Sequence, residues 1–513
     1  MLLRVKDLIK ISTRCYGVAI SFLALLVFLV LRVSSKKYSL DTAHLIDVFS
    51  NFFASGSLYS NIAGMHRFNL HFSPILAIIA PISLLGPSLL IFLWKFLCYG
   101  SFLYLFWRML AKDERINWSE KQLFLLILVF HPTFFLNAIE PNLWDSDLTL
   151  PFLGLSFLAI TQQRYTLAIV WFSVTYLVKE DMPLVGVLFG VFIMAYTSKL
   201  KYAWFSIFSL IYFLVVTMLV MPSFAAHDKP IELMTQNYSY LGKSFYDIVL
   251  NIIKDPSIIL ASGFWLRKSV SLLIIFACVA FLPVLRGRAI LYLIPGMAIL
   301  GYATLSNEPF LDYSKHYMLV FFVFVIAAAY HSYASLHECK PRRVVALVSV
   351  ALSLSIIVSH IVFRSWTYYL YPIDNFSSMQ MALLEVPVEK SLLTHGVASP
   401  WVGFGRRFQL SANFDPSEIE RKRYDYILIN KRTVFWEVLS DDANILLKEN
   451  LMSLNKNERY ETVFDSEDVI LLERIMGHTK NGKQTNWVYD LEEFQNINQV
   501  SMKLDWIKIL RHL

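Results

Sequence analysis

The stretch DTAHLIDVFSNFFASGSLYSNIAGMHRFNLHFSPILAIIAPISLLGP (Asp41–Pro87) lies between two long apolar runs. It gathers Asp41, His44, Asp47, His66, Arg67 and His71, then reads His71-Phe72-Ser73-Pro74-Ile75. A connection that only joins two membrane helices needs a few polar residues and a turn. Loops of this length are functional or disordered, and Phe49, Phe52, Phe53, Leu58 and Tyr59 argue against disorder. The chemistry is therefore expected just outside a membrane, at the mouth of a helical bundle.

Working outward, the 513 residues are 56% hydrophobic with a mean hydropathy of +0.51, above the roughly 45–50% apolar content of soluble domains. Several runs approach the ~20 residues that cross a bilayer as a helix. The expectation is an all-α polytopic membrane bundle of about eleven transmembrane helices, near 16–33, 87–109, 121–139, 148–162, 165–179, 183–198, 203–221, 268–285, 289–305, 317–334 and 344–363. The first run is long, lacks a small-x-small cleavage pattern and is followed by further spans, so it is not a cleaved signal. Leu76–Gly86 is too short to cross at 1.5 Å per residue. Flanked by Pro74, Pro81 and Pro87, it reads as an interfacial or re-entrant helix.

The net charge of +7 does not point to nucleic acid, because Lys and Arg collect in short loops on alternate sides. Arg4, Lys6, Lys10 and Arg14 place the N-terminus in the cytoplasm. Arg108, Lys112, Arg115, Lys121, Arg164, Lys199, Lys201, Arg286, Arg288, Lys340, Arg342 and Arg343 then fall on the same side. The opposite loops hold Asp41, Asp47, Glu140, Asp145, Asp147, Glu180, Asp181, Asp228, Glu232, Asp247, Asp255, Glu308 and Asp312. An odd number of spans puts residues 364–513 on that outer face. There the charge rises, and Ser391–Thr394, Tyr426–Ile429 and Val469–Leu472 read as strands between helical patterns at 434–454 and 490–511, a small extracytoplasmic α/β domain. The division expected is 1–363, the membrane domain with outer juxtamembrane helices at 41–86, and 364–513. Cys15, Cys98, Cys278 and Cys339 are widely spaced, which suits buried thiols better than a disulfide framework or a metal site.

Asp41, at the outer end of the first span, can serve as a general base on a hydroxyl or as a helix cap. Asp47 lies six residues on and is rotated away from it. His71, near Arg67, precedes a proline-led apolar helix. Asn142-Leu143-Trp144-Asp145-Ser146-Asp147 is a second acidic turn, with Asp147 placed to cap the next span. Lys179-Glu180-Asp181 ends a span, where charges are functional candidates unless they pair internally. Ser314-Lys315-His316-Tyr317 opens another span on the same side, and Lys315 can snorkel to lipid or hold a specific phosphate. The sequence has no P-loop, no dinucleotide-binding glycine fingerprint and neither an HExxH nor a GxSxG motif in a credible setting, which argues against a nucleotide-hydrolysing pump.

HFSPI (71–75), NLWDSD (142–147), VKED (178–181), YSKHY (313–317), VPVEKSLLTHG (386–396) and YDYILIN (424–430) together resemble a prokaryotic family of polytopic membrane proteins catalogued as a domain of unknown function. That family is related to the GT-C glycosyltransferase superfamily. The likeness covers nearly the whole chain. It implies a first outer loop that opens on a catalytic acid, runs through a helix to a small-Gly turn and continues into a Pro-led helix along the membrane. Asp41, Ser55-Gly56 and Phe72-Ser73-Pro74-Ile75 fit that layout. Two departures stand out: Asp145 is followed two residues later by Asp147 where His is usual, and DTAHLID is a looser first motif.

The resemblance implies transfer of a sugar from a polyprenyl-phosphate donor to an acceptor on the outer face, with Asp41 as base. Asp47, Arg67, His71, Asp145, Lys179, Glu180, Lys315 and His316 are the substrate-binding candidates. The lipid-linked sugar is the donor substrate, no other cofactor is expected and a divalent metal is left open. Membrane lipids are the remaining partner. A transporter or flippase of a lipid-linked precursor is the competing reading, which inverted repeats would favour, and none is seen.

Overall fold

The computed structural model describes residues 19–31, 40–60, 65–140, 142–224, 238–242, 245–261, 265–285, 287–306, 310–336, 339–363, 376–387, 389–395, 408–410, 414–431, 441–455, 457, 459–467 and 469–475. The basic N-terminus, Arg286, the 490–511 pattern and the side chain of Asp41 lie outside them. Two compact units emerge: residues 1–32, 67–78 and 91–370, and residues 33–66, 79–90 and 371–513.

The first unit is helical. Among the described residues four helices are long and apolar enough to cross a membrane: Ser88–Lys112, Leu200–Ser223, Tyr317–Ala334 and Pro341–Ile361. A fifth crossing follows if Trp118–Phe130 and Pro132–Ile139, bent by 55°, form one broken span. The bend has a local cause. Pro132 has no N–H to donate into the preceding turn and forces His131 into an extended backbone. His131 Nδ1 then accepts the Thr133 N–H at 3.2 Å, capping the second segment.

The other expected spans are shorter or interrupted. Runs 148–162, 165–179 and 183–198 form helices Thr149–Thr161, Tyr165–Leu177 and Met182–Thr197. The 268–285 run breaks after Ala277, with Ala280 and Phe281 left-handed (φ 50° and 54°), before a short turn of helix at Leu282–Leu285. The 289–305 run starts as a 3₁₀ turn, Ala289–Leu293, ahead of Met297–Leu305. Apolar run length alone does not register such breaks. Helix Tyr317–Ala334 is the central one, with 89% of its apolar window buried against 28% for Leu200–Ser223 and for Pro341–Ile361.

Met182–Thr197 packs on Ala203–Val215 with its backbone close. A Cβ on Gly186 would stand 1.9 Å from the Tyr176 hydroxyl, and one on Gly190 would stand 2.3 Å from Ser206 Oγ. Small residues at this spacing allow such an approach.

In the second unit, helix Leu40–Ser55 ends at Gly56, whose φ of +72° needs a residue without a Cβ. Strands β1 (Tyr59–Ser60) and β2 (Met65–His66) pair antiparallel. Asp47, buried, accepts from Ser60 Oγ at 2.9 Å, and Asn51 Nδ2 donates to the Tyr59 carbonyl at 2.8 Å. Asp47 therefore ties the strand to the helix. Of the Pro-led segment, the helical turn Ile75–Ile79 belongs almost wholly to the first unit and the 3₁₀ helix Ala80–Leu85 to the second.

Residues beyond 376 form a five-stranded sheet of order β4-β3-β5-β7-β6, from β3 (Leu392–Thr394), β4 (Phe408–Leu410), β5 (Tyr426–Asn430), β6 (Tyr460–Asp465) and β7 (Val469–Arg474). β3 runs parallel to β4 and β5, and β7 antiparallel to β5 and β6. Period-two alternation sends Leu393, Ile427, Ile429, Ile470 and Leu472 to one face, under helices Pro416–Lys422 and Asp441–Asn455. Leu392, Tyr426, Leu428, Val469 and Leu471 face the other way, against Met379, Ala382 and Leu383 of helix Phe376–Leu384. β3, β5 and β7 fall on the runs read as strands; β4 and β6 are additional.

Candidate functional site

The loops at one end of the helical unit meet in a buried, charge-dense cluster. Arg67 opens the short helix Arg67–Leu70 and reaches Asp145 Oδ2 at 2.6 Å, where Ser73 Oγ also donates at 2.7 Å. His71 Nδ1 lies 2.9 Å from Glu180 Oε1, and the Phe72 N–H donates to Glu180 Oε2 at 3.0 Å. The HFSPI turn is thus held between the second acidic turn and the VKED motif. Lys179 pairs with Asp181 at 2.8 Å and lies over the Tyr317 ring. The internal Lys–Glu pair weighed for Lys179-Glu180-Asp181 does not form: Lys179 takes Asp181 instead, and Glu180 is engaged by His71.

Deeper in the bundle, Lys95 and Asp147, both fully buried, pair at 2.8 Å. Tyr99 donates to the same carboxylate at 2.8 Å, and Lys95 also bonds the Asn137 carbonyl. Asp147 is the third residue of the 3₁₀ turn Asp145–Leu148 and accepts the Trp144 N–H at 3.4 Å, so it both caps that turn and neutralises a cation from another helix.

Trp144 links this layer to the YSKHY motif. Its indole stacks on His316 with ring centroids 3.6 Å apart, and its Nε1 donates to Glu140 Oε2 at 3.0 Å. Asp312 sets the approach to that motif: it receives Arg267 at 2.6 Å and accepts the Ser314 N–H and hydroxyl. His316 is buried with Nδ1 unpartnered. The Lys315 side chain is half-buried and makes neither a hydrogen bond nor an ion pair among the described residues.

Electrostatics follow from burial and pairing. Burial raises the Asp145 carboxyl, but the charges of Arg67 and His71 and the bonds from Ser73 and Arg67 outweigh it and hold the group below its ordinary value. Glu180 is likewise pushed up by burial and drawn down further by His71, then Lys179, to about 2. His316 is driven far below the usual imidazole range, first by burial and then by the charges of Lys179 and Lys315, and so is neutral. Glu140 is raised by burial, which the charges of Lys95 and Lys315 and the Trp144 bond only partly offset. Among the described residues no three His, Cys, Asp or Glu side chains are grouped as a metal site.

The sequence model of the family described as "Predicted membrane protein (DUF2079)" matches residues 50–471. The chain belongs to that family. No curated protein matches the chain. Among solved structures, ArnT from Cupriavidus metallidurans in the apo state is similar at 10% identity over 90% of this chain and 98% of that one, with a TM-score of 0.48. The arabinofuranosyltransferase AftD from Mycobacteria is similar at 13% identity and a TM-score of 0.45, over 89% of this chain and 40% of that one. The chain thus spans less than half the length of AftD.

For this member of the family, the cluster brings together Arg67, His71, Asp145, Lys179, Glu180, Lys315 and His316 of the residues singled out from sequence. Asp47 serves its own helix–strand junction, and Asp41 is placed only as backbone in the first turn of Leu40–Ser55. Lys95, Tyr99 and Glu140 were not singled out as site residues. A signal existed for Lys95, since a lysine inside an apolar span implies a buried partner. For Glu140 it did not, because an acid after a span is ordinary.

Proposed function

We propose that the chain is a membrane glycosyltransferase that moves a sugar from a polyprenyl-phosphate donor to an acceptor at the extracytoplasmic face. Lys315 is the observation that carries this reading. Arg67, His71, Lys95 and Lys179 are each tied to an acid, whereas the Lys315 ammonium has no acid in contact among the described residues. An ammonium left open beside a neutral imidazole suits a phosphoryl oxygen. Charge accumulates on the departing phosphate as its bond to the anomeric carbon breaks, so a fixed cation stabilises the transition state.

The acceptor hydroxyl would give its proton to a carboxylate as it attacks, and the motif layout puts Asp41 forward for that role. The prenyl tail would lie against apolar helices, where burial contributes ~0.8 kcal/mol per CH₂. The grouping of loops in this reading has separate support within the helical unit. The loops that meet around Asp145 and Glu180 are those expected outside. The segments around Arg115 and Arg342, both expected on the opposite side, meet each other: Arg342 bonds the Arg115 carbonyl at 3.0 Å and pairs with Glu120 at 3.2 Å.

The test is product formation by purified protein in liposomes with a panel of polyprenyl-phosphate sugars. Lys315→Met is expected to raise the donor requirement tenfold or more, in line with ~1.5–3 kcal/mol for a charged hydrogen bond, and to leave the acceptor requirement unchanged. Asp41→Asn should lower turnover ~10²–10⁴-fold in protein that still melts at the wild-type temperature. Liposomes in which no donor is consumed while a lipid-linked headgroup crosses the bilayer would assign the chain to transport instead.

A further inference from the structure

Within the cluster Asp145, Asp147 and Asp181 are each bonded to an arginine or lysine, and Glu180 to the His71 imidazole. Glu140 is not. Its Oε1 accepts from Asn142 Nδ2 at 3.2 Å and its Oε2 from the Trp144 indole at 3.0 Å. Two neutral donors fix the plane of the carboxylate and leave about two of its four lone-pair positions open. The same indole lies on His316, whose chain neighbour is Lys315, and the Lys315 charge is felt at Glu140. The one open acid and the one open ammonium among the described residues of the cluster therefore adjoin the same stacked ring pair, Glu140 through its bond to Trp144 and Lys315 as the residue before His316, without being an ion pair. Half-buried charges held apart in this way forgo a favourable contact, unless a ligand with complementary groups completes both.

We propose that Glu140 and Lys315 are two halves of a sugar-phosphate subsite: Lys315 holds the phosphoryl anion, and Glu140 accepts hydrogen bonds from hydroxyls of the ring joined to it. This rests on the donor reading above and adds the residue that senses the sugar. A site built to bond a hydroxyl discriminates strongly against a ligand that lacks it, because its own polar group is then left unpaired.

The experiment measures binding calorimetrically to the purified full chain in detergent. The probes are geranyl phosphate, geranyl phosphates carrying glucose, galactose, mannose or ribose, and the free sugar 1-phosphates. Wild type is expected to bind at least one glycosylated geranyl phosphate ~10-fold more tightly than geranyl phosphate itself. Glu140→Ala should reduce that ratio to about twofold or less with the affinity for geranyl phosphate unaltered, whereas Lys315→Met weakens every phosphate ligand. Should Glu140→Ala not fold, Glu140→Gln keeps the shape, loses one acceptor oxygen and is expected to cut the ratio about threefold. A ratio unchanged in the folded Glu140 variant, or no preference in wild type, overturns the inference and leaves the donor reading standing. A folded wild type that binds none of the lipid phosphates overturns the donor reading itself. Tighter binding of free sugar 1-phosphates, lost in Glu140→Ala, supports the subsite and overturns its lipid-linked source.

Discussion

Glu180 is an acid whose surroundings reverse the effect of its burial, and this makes a pH test possible. Its folded-state value is depressed to about 2, so the stability it contributes is fully present above the ordinary carboxylate range near pH 4. That contribution is lost as the pH falls through the folded value. Glu180→Gln keeps the shape and gives up the charge, and should cost ~1–3 kcal/mol at about pH 5–6. The gap in melting temperature between wild type and variant should then close toward about pH 2; a gap of constant size would show that the charge is not what holds His71 and Phe72. Much at this scale was legible in the sequence: HFSPI, NLWDSD and VKED were singled out, and they do meet. Their pairing was not legible. Whether Lys179 takes Glu180 or Asp181 depends on side-chain direction, and Asp47 gives no hint that Ser60 will occupy it.

Helix Met182–Thr197 owes its packing to two glycines. Gly186→Ala puts a methyl group 1.9 Å from the Tyr176 hydroxyl, an overpacking expected to cost at least ~1–3 kcal/mol. Adding Tyr176→Phe should recover part of the lost melting temperature; additive losses in the double variant would mean that the strain lies elsewhere. Element boundaries divide in the same physical way. Trp118–Phe130, Leu200–Ser223 and Tyr317–Ala334 follow directly from uninterrupted apolar runs. The break at Pro132 and the left-handed pair at Ala280 and Phe281 do not, because hydropathy carries no information about backbone dihedrals. In the sheet, β5 and β7 are legible because both faces are covered and the runs are continuously apolar. β6 escapes because it is an edge strand with alternating exposure and an irregularity between Thr462 and Phe464.

For the whole molecule the main expectation is sidedness. A cysteine introduced at Asn450 should react with a membrane-impermeant maleimide on intact cells, and one at Arg288 should react only after permeabilisation; the opposite pattern would invert the topology. The described native cysteines Cys98 and Cys278 are buried and should contribute little background. The helical unit also bears on how the chain is made. Lys95 sits within the Ser88–Lys112 span, and the carboxylate that neutralises it arrives 52 residues later in the chain. A lysine inside a span opposes insertion, by up to about 2.5–3.5 kcal/mol at the centre and by less toward the ends. During synthesis, then, this segment reaches the insertion machinery before its counter-ion has left the ribosome. Its stable entry into the bilayer should wait for residues 118–148, so that assembly of the bundle is ordered by a charge still to be translated.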